Sequence, residues 1–216
     1  MAQSRGRQQR AQQTRQRICD AAKDLFLTRG YAATTITEIA RAAGVAHQTV
    51  YFTFGSKAAV LAAILDAEIV GDVADVPLLE RPQVARIARA ADPLRRLHRV
   101  VDVACDVTAR LAPLYEIVRA GAADDEVRAL LDRHEDQRWH TLRTMAGMLE
   151  PDLAAGVTVE EAADRLYALL SHEVLWLLVH RRGWSTARWR DYVRDDAARQ
   201  LLPARVVTAT NGGPGA

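Results

Sequence analysis

The tightest constraint on this 216-residue chain is the order of caps, apolar residues and breakers between Thr35 and Ser56. Thr35-Ile36-Thr37-Glu38 reads as a capping box, in which the Thr35 hydroxyl accepts a free N–H and the Glu38 carboxylate reaches back. Ile39, Ala40 and Ala43 follow at helical spacing, and Gly44 ends the helix. A second short helix is expected from about Ala46 to Thr53, broken by Gly55. Helices this short are marginal alone, so the two must pack against each other across a tight turn at Gly44-Val45.

On the second helix Val50 is the inward residue, with Val45 and Phe54 as further anchors. His47, Gln48, Thr49, Tyr51 and Thr53 are left on the other faces. A pair of helices built this way is a helix-turn-helix, whose second helix enters a DNA major groove. The side chains suit base readout, since Gln pairs bidentately with adenine, His bonds guanine or a phosphate, and Thr methyls pack on thymine. Ser56 caps a longer helix to about Val70. Lys57, at its start, is expected to present an ammonium and free backbone N–H groups to a phosphate. The plainer alternative is a helical hairpin with a solvated face.

Charge and ring distribution point to two parts with different partners. Residues 1–60 hold nine Lys/Arg and three Asp/Glu, whereas the remainder holds 20 and 24. All three Phe lie from Phe26 to Phe54, and all four Trp from Trp139 to Trp189, which predicts two separate cores. A sequence-neutral nucleoid protein would need a basic body as well as a basic head, so the acidic remainder argues against one.

The segment 1–13, rich in Gln and Arg, is expected to be a disordered basic arm. A helix is expected from about Thr14 to Thr28, with Ile18, Ala21, Ala22, Leu25 and Phe26 inward. Residues 71–93 read as a loop around a short helix, Gln83 to Arg89. Further helices are expected at about Pro93 to Ala112, Leu114 to Ala120, Asp124 to Leu149, Val159 to Arg182 and Thr186 to Leu202, with Pro113 as a kink. The residues from 203 onward are expected to be a disordered tail, dispensable from Arg205 to Ala216. The fold class is all-α, with about nine helices.

The run "RICDAAKDLFLTRGYAATTITEIARAAGVAHQTVYFTFGSKAAVLAAIL", residues 17–65, resembles the N-terminal domain of tetracycline-repressor-like (TetR) transcription regulators. The likeness rests on Arg29-Gly30-Tyr31, Thr34-Thr35, Ile39-Ala40, Ala43-Gly44-Val45, Thr49-Val50-Tyr51 and Phe54-x-Ser56-Lys57. It implies a homodimer, a three-helix DNA head and a larger helical body that binds a small molecule. The family's DNA contacts fall on Thr37, His47, Gln48, Thr49, Tyr51, Thr53 and Lys57. The resemblance places the head at 14–56 and the ligand-binding and dimerisation body at 57–202. Three positions depart from the family pattern: Ala46 stands where a capping Ser is frequent, and Phe52 and Thr53 where basic or His residues are. Arginines from Arg5 to Arg17 are candidates to compensate along the duplex or in a minor groove.

In the body a stripe of small and mildly polar groups, Val101, Cys105, Thr108, Ala112 and Tyr115, recurs at helical spacing. It would suit a cavity wall, completed by Trp139, Leu142, Met145, Tyr167 and Leu170, or an ordinary core. Leu166 to Val179 is apolar almost all round, which predicts either a central helix or one sandwiched against a second copy, with Trp184 and Trp189 beside it. His172 and His180, and His134 and His140, are badly spaced for a shared metal, and Glu160-Glu161 reads as charge at a helix start. No acid/base or metal set converges, so a helical-bundle enzyme is the poorer alternative and no cofactor is expected.

The expected function is a ligand-responsive repressor of a palindromic operator on double-stranded DNA, released by a small molecule. An activator or a partner-controlled regulator stays open. With no apolar run of membrane-spanning length and no signal-peptide pattern, the expected location is the cytoplasm.

Overall fold

The computed structural model describes residues 2–71 and 77–208, with side chains at 6–71 and 77–207. Among these residues every regular element is helical. The chain forms two compact units, one of residues 1–72 and 113–133 and the other of 73–112 and 134–216.

The first unit opens with α1 (Ala2–Arg29), α2 (Ile36–Ala43), α3 (His47–Phe54) and α4 (Lys57–Val70). The expected boundaries hold at α2, α3 and α4, because each is set by local chemistry. Thr35 and Glu38 form the full capping box, Gly44 closes α2 in the left-handed region (φ 64°), and the Ser56 hydroxyl accepts the Ala59 N–H. The expectation for residues 1–13 is corrected, since α1 begins at Ala2. Gln, Ala and Arg are good helix formers, and the packed part of α1 supplies the nucleus on which these turns propagate. From Gly6 to Gln13 the helix buries nothing. Its core begins at Ile18, Cys19, Ala22 and Phe26, and α1 packs on α2 and α4, whose Ile39, Val60, Leu61 and Ile64 are buried too, as is Val50 of α3.

The remaining helices are α5 (Pro82–Ala88), α6 (Pro93–Gly121), α7 (Asp125–Gly147), α8 (Val159–Leu169), α9 (His172–Leu175), a π-helical segment Trp176–Arg181, α10 (Thr186–Leu201) and α11 (Ala204–Thr208), with short 3-10 turns at Leu78–Glu80 and Glu150–Asp152. Residues 113–121 and 125–133 of α6 and α7 belong to the first unit. The core of the second unit runs through Val84, Leu97, Val101, Cys105, Met145, Leu149, Leu166, Leu170, Trp189 and Val193.

Three further expectations are corrected here. α6 runs through Pro113 as one helix where two were expected. A proline removes one hydrogen bond of the helix, and Leu111 and Leu114 on either side are buried deeply enough to hold the backbone helical. The expected helix from Val159 to Arg182 is interrupted at Leu170-Ser171, where Ser171 accepts the Val174 N–H and starts α9 afresh. The residues after Pro203 are not all without structure: α11 places Val206 and Val207 against the core. The rest of that tail, 209–216, lies outside the described residues, as does 72–76 of the expected loop.

Candidate nucleic-acid interface

The geometry of α3 follows from its neighbours. The turn before it is closed by the Val45 N–H on the Ala40 carbonyl at 3.0 Å, which fixes the angle between α2 and α3. Val50 is fully buried, and the Arg15 guanidinium lies over the Phe54 ring at 4.5 Å, tying α3 to α1. Ala46 offers no side-chain cap, so the first turn of α3 keeps N–H groups available to a ligand.

Around this helix the candidate residues separate into two groups. His47, Gln48 and Tyr51 are exposed, and the His47 and Tyr51 rings meet at 5.0 Å. Thr49 and Thr53 are half-buried, and the Thr53 hydroxyl donates to the Thr49 carbonyl at 2.7 Å, which spends its proton inside the helix. Thr37 is exposed on the first turn of α2.

Lys57 has a different role from the one its position suggested. Its ammonium donates to the carbonyl of Tyr31 at 2.8 Å and of Thr34 at 2.9 Å, and it lies 4.0 Å from the Tyr31 ring centroid. Burial pulls its pKa down, with Asp124 opposing. The side chain therefore pins the α1–α2 loop and is not directed outward to a phosphate. Thr34, fully buried, donates to the Gly30 carbonyl at 2.8 Å in the same loop. Tyr31 is pushed up to about 12 by burial and then by Asp124 and Glu126. Glu38 is lowered, first by the Thr35 backbone hydrogen bond, and pairs with Arg29 at 2.9 Å.

One residue of this face was missed from sequence. Phe52 is 95% exposed on α3. The signal was available: Gln48 and Phe52 each stand two positions from Val50, about 200° around a helix, so both point away from the buried side.

The helix pair capped at Thr35 and turned at Gly44 lies within residues 18–64, which the family model for bacterial regulatory proteins of the tetR family matches. Residues 18–64 match the tetR-family domain. A curated relative, the HTH-type transcriptional regulator AlkX of Mycobacterium tuberculosis, is 49% identical to this chain over 43 residues. That match spans 20% of this chain and 20% of the relative. UidR, an HTH-type transcriptional regulator of Escherichia coli K12, is 24% identical over 177 residues, 76% of this chain and 83% of its own. A transcriptional regulator from Saccharomonospora viridis, solved in complex with choline, shares the fold with a TM-score of 0.65 at 23% identity, covering 88% of this chain and 97% of that one.

Beyond residues 18–64, the candidate cavity wall is distributed unevenly. Cys105, Leu142, Met145 and Leu170 are buried together in the core of the second unit. Burial pushes the Cys105 thiol up to about 12, so it stays protonated. The Thr108 hydroxyl, also buried, donates to the Leu170 carbonyl at 3.3 Å, at the break between α8 and α9. Tyr167 is half-buried, donates to Glu135 and lies 4.1 Å beneath the Arg138 guanidinium. Trp139 donates to Asp164 at 2.8 Å. Tyr115 belongs to the first unit. A separate surface groove of about 350 Å³ in the second unit is lined by Gln83, Arg86, Arg99, Asp102, Asp106 and Arg110, among others, and by none of the wall residues. Trp189 has no exposed surface and is a core residue, whereas Leu177 is 52% exposed. No single helix among the described residues is long and apolar enough to cross a membrane.

Proposed function

We propose that the protein is a cytoplasmic DNA-binding transcription regulator. In this proposal it acts as a homodimer on a palindromic operator in double-stranded DNA, and as a repressor released by a small molecule. The observation that carries the proposal is the outer face of α3, where Gln48 stands exposed directly opposite the buried Val50, with exposed His47 and Tyr51 beside it. A helix held by its inner face, with hydrogen-bonding side chains on the outer one, is what major-groove readout requires. The same chain region is the most basic, and basic charge supplies the sequence-independent part of affinity.

Residues 14–56 read DNA, and 57–202 carry the effector response and dimerisation. Thr37, Thr49, Thr53 and the Lys57 backbone serve the duplex at the edges of the α3 footprint. The effector site is assigned to the core around Cys105, Thr108, Leu142, Met145 and Leu170, with Trp139 and Tyr167 toward its edges. The break after Leu170 supports that assignment, because a chain interrupted beside the wall can move without unwinding a helix. The decisive experiment is a gel shift of the full-length protein with the intergenic DNA beside its own gene, against a random duplex of equal length. Specific retention, and an about 1–3 kcal/mol loss in Gln48→Ala on that duplex but little on random DNA, is the expected result. Equal affinity for both duplexes at every salt concentration would refute it.

A further inference from the structure

Phe52 is the outlier among the exposed apolar side chains. It is 95% exposed, while the next of the large ones, Leu177, is 52%. It shares the outward face of α3 with Gln48, one turn earlier. Neighbouring rings do not shelter it: Tyr51 is turned to His47 at 5.0 Å, and Phe54 lies under Arg15 at 4.5 Å. A benzyl group has no donor or acceptor, so it cannot anchor to a phosphate, and setting it against one would strip water from the charge without return. The major-groove edge of DNA carries one apolar group, the C5-methyl of thymine.

We propose, on the basis of the DNA-binding function above, that Phe52 is a base-reading residue that recognises a thymine methyl in each operator half-site. Four residues of helix advance about 6 Å and base pairs are stacked about 3.4 Å apart. The thymine thus lies about two base pairs from the base read by Gln48. This makes the α3 code mixed: a hydrogen-bonding position and an apolar one, side by side on the same face.

The test uses duplexes enriched from a random library by the full-length wild-type protein. Each thymine of the enriched site is then replaced singly by deoxyuridine, which removes the methyl and keeps every hydrogen bond. One position per half-site should weaken wild-type binding by about fourfold, the factor for burying one methyl-sized group. Phe52→Ala should bind the thymine and deoxyuridine duplexes equally, while Phe52→Leu and Gln48→Ala should keep the distinction. Phe52→Ala should also leave the circular dichroism spectrum and Tm unchanged, because a residue 95% exposed adds little packing to the folded chain. If Phe52→Ala keeps the wild-type deoxyuridine profile, or no thymine position is sensitive, Phe52 packs on the sugar–phosphate backbone or serves elsewhere and the assignment falls. If the wild-type protein enriches no sequence at all, the DNA-binding function itself falls, which is a separate result.

Discussion

Gly121, the last residue of α6, lies against Tyr31 so closely that a Cβ there would stand 3.2 Å from the ring's Cδ1 and 3.3 Å from Val127 Cγ1. The ring cannot retreat easily, because Lys57 sits 4.0 Å from its face and Phe26 packs at 5.5 Å. Gly121→Ala should therefore destabilise the protein by about 1 kcal/mol, overpacking outweighing the helix-propensity gain at a helix end. Gly147→Ala is the matched control, a helix-terminal glycine with open space around its would-be Cβ, and should be neutral or stabilising. Urea melts decide it. A Gly121→Ala protein as stable as the Gly147→Ala control would mean the Tyr31 contact is loose.

Lys57 should matter to the fold more than to the salt dependence of DNA binding. Lys57→Ala leaves the Tyr31 and Thr34 carbonyls without their donor and should cost about 1.5–3 kcal/mol of stability, the range for hydrogen bonds to a charged group. The slope of log K against log salt should barely change. A slope flatter by about one per site, with unchanged Tm, would return the ammonium to a phosphate.

Much of the head was legible because its boundaries are set within a few residues. Thr35 with Glu38, Gly44, Gly55 and Ser56 each fix a helix end by local hydrogen bonding or backbone conformation, and no distant contact is needed to read them. The Lys57 side chain was not legible, because its partners, Tyr31 and Thr34, are more than twenty residues away in sequence. In the second unit, the stripe through Cys105 and Thr108 suits a close-packed core and a cavity wall alike, since both want small, weakly polar groups. Apolarity all round Leu166 to Val179 spoke for burial and was silent on the break at Ser171. There a serine cap competes with helix continuation, and the surrounding packing decides.

Stability should fall on mild acidification through His172. Burial, and after it the Arg138 charge, pushes this imidazole from 6.5 to about 4. Between those values the unfolded chain binds a proton that the folded chain refuses, so the stabilisation is complete above pH 6.5 and is lost as pH falls toward 4. At pH 5 the loss is about 2 kcal/mol. His98 is lowered too, by burial and then Arg194, so some slope should survive in His172→Gln. Thermal melts from pH 7 to 5 should be clearly flatter for His172→Gln than for wild type. Parallel curves would show that His172 does not titrate in this range.

The short terminal helix should not be dispensable. Val206 and Val207 pack against the core of the second unit. Ending the chain after Pro203 should cost about 1–3 kcal/mol, the burial of one to two partly covered valines. Unchanged Tm on truncation would show that α11 stays undocked in solution.

The two-fold interface proposed for the C-terminal helices gives the sharpest contrast between neighbours. Leu177 is 52% exposed within the π-helical segment, while Trp189 is fully buried in its own protomer. Only the first has apolar surface left to offer a second copy. Leu177→Arg should therefore leave the monomer folded, with its helical spectrum intact, and weaken dimerisation by at least about tenfold, as expected for charge placed in an apolar contact. Trp189→Ala should instead unfold or loosen the body, at about 3–5 kcal/mol for a buried indole. Sedimentation velocity over a concentration series, paired with thermal melts, separates the two. A Leu177→Arg protein that sediments as the wild-type dimer at every concentration would place the interface on another face, and its operator affinity would then be expected to match wild type as well.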